Sequence, residues 1–176
     1  MLKLFGGRKL GLVGLDISAS AIKLLELSRD DGGYVVESYG AEPLPENTVV
    51  EQNIVDVDAV AEAIKRLQAS TQFKSKLAAV AVAGSAVITK TIEVPAPLKE
   101  NQIEEQLLMD ADQYIPYPLD EVALDFQVLE TTARSEDMVD VLIAACRQEH
   151  IESRQAAVEA SGLSPEVIDI EAHCVQ

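Results

Sequence analysis

The chain has 176 residues, of which 48% are hydrophobic and 4% aromatic, and its 30 acidic and 14 basic side chains give a formal net charge of −16. This composition predicts a packed globular protein with one sizeable core or two small domains. The negative charge argues against binding to nucleic acid or directly to anionic lipid, and the scarcity of aromatic rings argues against carbohydrate clefts and base-stacking platforms.

The cysteines and the amino terminus predict a cytosolic protein. Cys146 and Cys174 lie in no CxxC motif, and the first ten residues lack the apolar run of a secretory signal, so both cysteines are expected to be reduced thiols. No apolar stretch approaches the roughly 20 residues that span a bilayer. We therefore expect any contact with a membrane to depend on a partner protein.

Three apolar segments open the chain and predict an antiparallel meander. The predicted strands are residues 10–17, 20–28 and 33–40. Between the second and third, Asp31, Gly32 and Gly33 favour the positive φ of a tight hairpin turn.

A helix and a strand follow the meander. Residues 57–72 place apolar side chains close to the helical period, and Asp56 is expected to cap the helix at its amino end. Residues 77–84 are continuously apolar up to Gly84, which predicts a strand buried on both faces.

A second set of elements has the order strand, helix, strand, strand, and it could be an inserted subdomain. The predicted strands are residues 86–94, 121–130 and 138–146, the last two joined by a polar turn. The predicted helix spans residues 99–114, with one apolar face made of Ile103, Leu107, Leu108, Ala111 and Tyr114. Pro116 and Pro118 close this helix.

The last segment again predicts a helix followed by a strand, as residues 57–84 do. Residues 148–160 predict a helix that ends at Ser161-Gly162, and residues 166–172 predict a short buried strand. Because Gln176 follows with no terminal helix or polar tail, we expect the chain to be a fragment of a longer protein.

The hairpin between the first two strands has residues suited to binding phosphate. Small residues in the turn, including Ser18 and Ser20 after Gly14, would leave backbone N–H groups free to meet phosphate oxygens. Asp16 would hold a hydrated Mg²⁺, and Lys23 on the second strand would reach back toward the phosphates. An ordinary β-turn is the alternative explanation of the same residues.

With Lys23 seven residues after Asp16, this hairpin resembles the first phosphate loop of the actin, Hsp70 and sugar-kinase superfamily. A finer resemblance is to the PilM family of type IV pilus assembly, relatives of the cell-division protein FtsA, and it spans nearly the whole chain. It is carried by VGLDISASAIKLLELS (13–28), ADQYIPYPLDEVALDFQVLE (111–130) and VDVLIAACRQEHIESRQAAVEASGLSPEVIDIEA (139–172).

The resemblance implies a mixed α/β chain that forms half of an actin-like, ribonuclease H-like fold. Residues 1–84 with 147–176 would be the first actin-like subdomain (1A), and residues 85–146 an FtsA-type subdomain (1C). The family implies ATP binding with little turnover. It also implies capture of the cytoplasmic tail of the inner-membrane protein PilN in a groove between the subdomains, and a cytoplasmic collar that communicates with the pilus assembly ATPases.

The resemblance implies different outcomes for the two expected ligands, ATP and the PilN peptide. The second phosphate loop and adenosine pocket of the superfamily belong to a carboxy-terminal half that this chain lacks, so the chain alone is expected to bind ATP and Mg²⁺ weakly or not at all. For the peptide, the candidate contacts are Tyr114, Pro116 and Tyr117. These three residues would otherwise cap the helix and fill the local core.

Other interpretations remain open at this point. The rival function is an ATPase or small-molecule kinase of the same superfamily, although no residue that positions a nucleophile is assignable. A filament-forming protein would share the fold. A missing half would expose apolar surface, so a homo-oligomer or domain-swapped dimer is a further alternative.

Overall fold

The computed structural model describes residues 11–30, 32–129 and 137–174. The strands are β1 (Val13–Ile17), β2 (Ala21–Asp30), β3 (Gly33–Pro43), β4 (Val49–Val50), β5 (Asn53–Ile54), β6 (Leu77–Val82), β7 (Val87–Pro95), β8 (Val122–Leu129), β9 (Met138–Arg147) and β10 (Ser164–Ile170). The helices are α1 (Val57–Thr71), α2 (Glu100–Asp110), α3 (Gln148–Ala160) and α4 (Glu171–Cys174). Among these described residues, no helix combines the length and apolar character needed to cross a membrane.

The chain divides into two compact units. The first unit contains the residues up to Ala83 and those from Glu152 onward, and the second unit contains Gly84–Ile151. Each unit has its own sheet. The identity of these units with the predicted subdomains stays a prediction.

The first unit is built on a five-stranded mixed sheet with the order β10-β6-β1-β2-β3. β1, β2 and β3 form the predicted antiparallel meander, whereas β6 pairs in parallel with both β1 and β10. Gly33 has φ +133 at the second hairpin, as the turn requires, and the predicted turn residue Asp31 lies outside the described residues.

The core of the first unit lies on one face of this sheet. Val13 and Leu15 of β1 point into it and alternate with outward-facing Gly14 and Asp16. Helix α1 covers the inner face, and Asp56 caps it as predicted, since its Oδ1 accepts the N–H of Ala59 at 2.9 Å. The core cluster joins residues of the strands to residues of α1 and α3.

Close packing between α1 and the sheet depends on a glycine in β3. A Cβ at Gly40 would lie 2.6 Å from Cγ2 of Thr71, a side chain of α1. Thr71 is β-branched and its hydroxyl donates to the carbonyl of Leu67 at 2.6 Å, so it has little freedom to move away. The helix approaches β3 closely only because Gly40 has no side chain.

Two strands are less buried than their apolar sequences predict. In β6, Ala78, Val80 and Val82 are buried while the alternate residues are not, so the prediction of burial on both faces is wrong. β10 begins at Ser164, is largely exposed, and gives way to the short helix α4 at Glu171, which corrects the predicted buried strand. In the described chain, α1 and α3 cover one face of the sheet, and β10 is an edge strand.

The short hairpin of β4 and β5 was not predicted, and it depends on a distant arginine. Its turn residues Glu51 and Gln52 have φ values of 48° and 67°, an uncommon conformation for residues other than glycine, asparagine and aspartate. Arg154 of α3 is 2% exposed. Its Nη2 donates to the carbonyl of Gln52 at 2.9 Å, and its Nε donates to the carbonyl of Ala81 at 2.8 Å.

The second unit is a three-stranded antiparallel sheet with one helix packed on it. The strand order is β7-β9-β8, and the chain order β7-α2-β8-β9 is the predicted one. Ile103 and Leu107 of α2 are buried against Val94, Val141 and Ile143 of the sheet. Most of the predicted turn before β9, residues 131–136, lies outside the described residues.

Helix α2 is shorter than predicted. It ends at Asp110, and a 3₁₀ turn at Ala111–Gln113 follows it. Leu108 is 48% exposed, so its predicted place on the buried face is wrong. It follows Leu107 by one position, which turns its side chain about 100° around the helix axis.

We expect Arg154→Leu to lower the free energy of unfolding by about 3 kcal/mol, because the carbonyls of Ala81 and Gln52 lose the hydrogen bonds that a buried, charged donor makes to them. Urea unfolding followed by circular dichroism measures the change. Arg66→Leu is the matched control, since Arg66 is half exposed and pairs with Glu42 on the surface, and its loss should cost less than about 1 kcal/mol. Equal costs for the two variants would contradict this role of Arg154.

Candidate functional site

The hairpin of β1 and β2 presents one ion pair to solvent. Asp16 and Lys23 lie directly opposite each other in the register of the two strands. Nζ of Lys23 donates to Oδ2 of Asp16 at 2.8 Å, and the side chains are 53% exposed for Asp16 and 63% for Lys23. The spacing of seven residues noted in the sequence therefore corresponds to a cross-strand pair on the outward face of the sheet.

The turn itself is closed by Ser18. Its backbone N–H donates to the carbonyl of Ala21 at 3.0 Å, and its hydroxyl donates to the same carbonyl at 2.8 Å. The carbonyl of Ser20 accepts the N–H of Leu44 at 2.9 Å, while the Ser20 side chain is exposed. The backbone N–H of Ser18 is thus hydrogen-bonded within the hairpin. The phosphate contacts assigned to Gly14, Ser18 and Ser20 stay predictions.

Beside this ion pair lies an open depression of about 590 Å³ in the first unit. Its surface is mostly apolar and is formed by β1, β2, β6 and β10 together with α4. The lining residues are Gly14, Leu15, Asp16, Ile17, Lys23, Leu24, Leu25, Ala79, Val80, Ala81, Val167, Asp169, Glu171 and Cys174. Two further carboxylates, those of Asp169 and Glu171, therefore share this depression with Asp16 and Lys23.

Sequence reasoning assigned no role to Asp169 and Glu171. They are brought to the depression because β10 runs parallel to β6, and β6 runs parallel to β1. The carboxyl ends of parallel strands meet at the same edge of a sheet, where open α/β sheets bind ligands. The signal was an acidic residue near the carboxyl end of β1 and another near the carboxyl end of β10. Using it required knowing that both strands are neighbours of β6.

These residues fit a nucleotide-bound Mg²⁺ better than a resident metal ion. Among the described residues, no group of three or more histidine, cysteine or acidic side chains could hold a metal. Mg²⁺ bound with nucleotide usually needs only one or two carboxylates, since waters and phosphate oxygens complete its shell. Asp16 suits that role, and no protein cage for the metal is present in the described part of the chain.

Negative charge also acts on the thiol at the rim of the depression. Partial burial, assisted by Asp169 and Glu171, raises the pKa of the Cys174 thiol. Cys146 and Cys174 are not joined in a disulfide. A raised pKa keeps Cys174 in the less nucleophilic thiol form at neutral pH.

The peptide-contact candidates lie in the second unit and differ in exposure. Tyr114 is half-buried in two core clusters, and Nζ of Lys90 lies 4.9 Å from the centre of its ring. Pro116 is exposed and Tyr117 is 44% exposed. Tyr114 thus contributes to the local core, the alternative considered from the sequence, while Pro116 and Tyr117 are accessible in this unit.

The ion pair with Asp16 changes the pKa of Lys23. Hydrogen bonding to Asp16 and attraction to its charge raise the pKa of Lys23 above its ordinary value. While Asp16 is ionised, the pair therefore contributes stability at pH values below the ordinary lysine pKa, and this contribution is lost as the pH rises through the raised pKa.

We expect Asp16→Asn to lower the pKa of Lys23, as measured by NMR titration of the Lys23 side chain. Asp58→Asn, which changes an exposed carboxylate of α1, is the control and should leave that pKa unchanged. The Asp16–Lys23 pair is contradicted as the cause of the raised pKa if both variants titrate like the unmodified chain.

Comparison with known proteins gives the following similarities. Residues 14–176 match the family described as type IV pilus assembly protein PilM. The chain is similar to a chain of a PilM–PilN type IV pilus biogenesis complex, with 31% identity and a TM-score of 0.81, over 92% of this chain and 47% of that one. It also shares a fold with the cytoplasmic domain of EpsL, an inner membrane component of the type II secretion system of Vibrio cholerae, at 16% identity and a TM-score of 0.55, over 90% of this chain and 56% of that one.

These similarities confirm the predicted fold. The chain is mixed α/β with a mixed sheet, and it shares its fold with a chain of the PilM–PilN complex and with the cytoplasmic domain of EpsL. It spans about half the length of the solved relatives it matches.

Proposed function

The chain belongs to the PilM family of type IV pilus assembly proteins, and on that premise we propose that it is part of a scaffold that binds the cytoplasmic tail of a PilN-type inner-membrane protein. The observation that carries this proposal is the 31% identity, over 92% of the chain, to a chain from a PilM–PilN complex. Because the chain covers 47% of that relative, partner binding by the whole protein belongs to the proposal.

The proposed partner also gives the protein a location. A scaffold that holds a cytoplasmic tail is held at the inner membrane without inserting into it, so we place it in the cytoplasm, peripheral to that membrane. The net charge of −16 supports this arrangement, because an acidic surface is repelled by anionic lipid, whereas cytoplasmic segments of membrane proteins are enriched in lysine and arginine. From there it would form the collar that communicates with the assembly ATPases.

We further propose that a nucleotide acts as a conformational ligand of the whole protein. The Asp16–Lys23 hairpin at the edge of an open depression supports this idea, with Asp16 holding hydrated Mg²⁺ and Lys23 meeting phosphate. A bound nucleotide shifts the balance between two arrangements only by its difference in affinity for them. Scaffolding of this kind needs no chemical step.

The alternative function is that of an ATPase or small-molecule kinase. One observation favours it, namely that Asp169 and Glu171 line the same depression as Asp16, since a carboxylate near bound phosphate can orient an attacking water or hydroxyl. Measurement of ATP hydrolysis by the full-length protein separates the two. Repeated turnover that is lost in both Asp169→Asn and Glu171→Gln would favour the enzyme.

We expect a labelled PilN-type tail peptide to bind the 176-residue chain saturably in a fluorescence anisotropy titration. Tyr117→Ala should weaken binding at least fivefold, because it removes an exposed aromatic contact. Tyr39→Ala is the matched control, since Tyr39 is 78% exposed on β3 in the first unit, and it should change the affinity less than twofold. Absence of saturable binding would contradict tail capture by this chain.

We expect ATP with Mg²⁺ to bind this chain too weakly to saturate in isothermal titration calorimetry at millimolar nucleotide. The physical reason is that the chain supplies one wall of the expected cleft, with its phosphate contacts confined to the Asp16–Lys23 hairpin. The full-length protein is the control and should bind more tightly. A micromolar dissociation constant for residues 1–176 would show that the missing half is not needed.

A further inference from the structure

The second unit has an edge strand, β8, whose one charged side chain is Asp125, and the Oδ1 of Asp125 accepts the N–H of Phe126 at 2.8 Å. Among the described residues, β8 pairs with β9 alone, in a continuous register without a bulge. Proteins commonly protect such edges with lysine, proline or bulges. The other edge strand, β7, carries Lys90 and Pro95, whereas β8, with the sequence VALDFQVL, has no lysine, arginine, proline or glycine.

A cleft of about 390 Å³ with both apolar and polar lining lies beside this edge. Phe126 and Val128 of β8 line it together with Leu98, Ile103 and Val139. Phe126 and Val128 are two positions apart and so point to the same face of the sheet. Val128 is 40% exposed. A strand added to β8 would place every second side chain beside this cleft.

The surrounding charge selects the occupant. Residues 84–151 carry 14 acidic and 4 basic side chains, and Glu100 lines the cleft itself. Of the basic residues, Arg147 pairs with Glu121 and Glu149. A cationic segment is attracted to such a surface, while a second copy of the chain, with its net charge of −16, is repelled.

We propose that the edge of β8 binds an extended cationic peptide, which adds a strand to the sheet and inserts alternate apolar side chains into the cleft at Phe126 and Val128. Backbone hydrogen bonds to the edge supply affinity, and the cleft and the acidic surface supply selectivity. This inference goes beyond the proposed function, because it uses the second unit alone and requires no PilN-type sequence.

The probe is a labelled peptide of about ten residues, the length of a long strand, in which valine and lysine alternate. Its partner probe alternates valine and glutamate. In anisotropy titrations with the 176-residue chain, we expect the lysine peptide to bind at least tenfold more tightly than the glutamate peptide and to weaken as salt is raised. Equal binding of the two peptides would overturn the proposed charge selection and with it the proposal.

Variants locate the site. Val128→Lys should weaken the lysine peptide at least tenfold, because it fills the cleft with a like charge. Val36→Lys is the matched control, on the edge strand β3 of the other sheet, where Val36 is 56% exposed, and it should change the affinity less than twofold. If Val128→Lys fails to fold, Asp125→Lys on the same edge strand should weaken the same peptide, since Asp125 is exposed.

Hydrogen exchange gives an independent readout. Bound lysine peptide should slow exchange of β8 amides and leave β3 amides unchanged. Protection of β3 or β7 instead of β8, or equal loss of binding in Val128→Lys and Val36→Lys, would overturn the assignment to β8.

Discussion

The hydrogen bonds of Arg154 hold together parts of the first unit that are far apart in the chain. The chain leaves this unit after Ala83 and re-enters it at Glu152, and two residues later a buried guanidinium donates to the carbonyls of Ala81 and Gln52. It thereby fixes α3 against the end of β6 and against a turn of unfavourable backbone conformation. A buried charge is tolerated only where such partners are present, so the return path of the chain is closely specified.

That return path decides what the first unit presents to a ligand. Once α3 is in place, β10 pairs in parallel with β6, and the ends of the parallel strands β1, β6 and β10 meet at one edge. Asp169 and Glu171 come to line the depression that the Asp16–Lys23 hairpin borders. The second unit has a different character, with an excess of acidic residues, a cleft of mixed polarity and the edge strand β8. The proposed nucleotide and peptide functions thus rest on separate sheets.

Local signals predicted most of the secondary structure. Short apolar segments bounded by turn residues predicted the strands, the Asp56 side chain marked the start of α1, and Gly162, with φ +86, marked the end of α3. The errors arose where burial depends on neighbours. The apolar run at Ala78–Val82 could not reveal that helices cover only one face of its strand, and the turn at Glu51 lacks the glycine or asparagine that would mark positive φ.

By itself, the sequence determined most of the elements, their order and the resemblance to the PilM family, because periodicity, capping and turn chemistry act over a few residues. The pairing of Asp16 with Lys23 across the hairpin came from the structure. Only the tertiary structure decided that Asp169 and Glu171 join that pair, that Tyr114 belongs to a core while Tyr117 is exposed, and that β8 is an edge. Those outcomes depend on strand order and on which faces are covered, and contacts between residues distant in the chain set both.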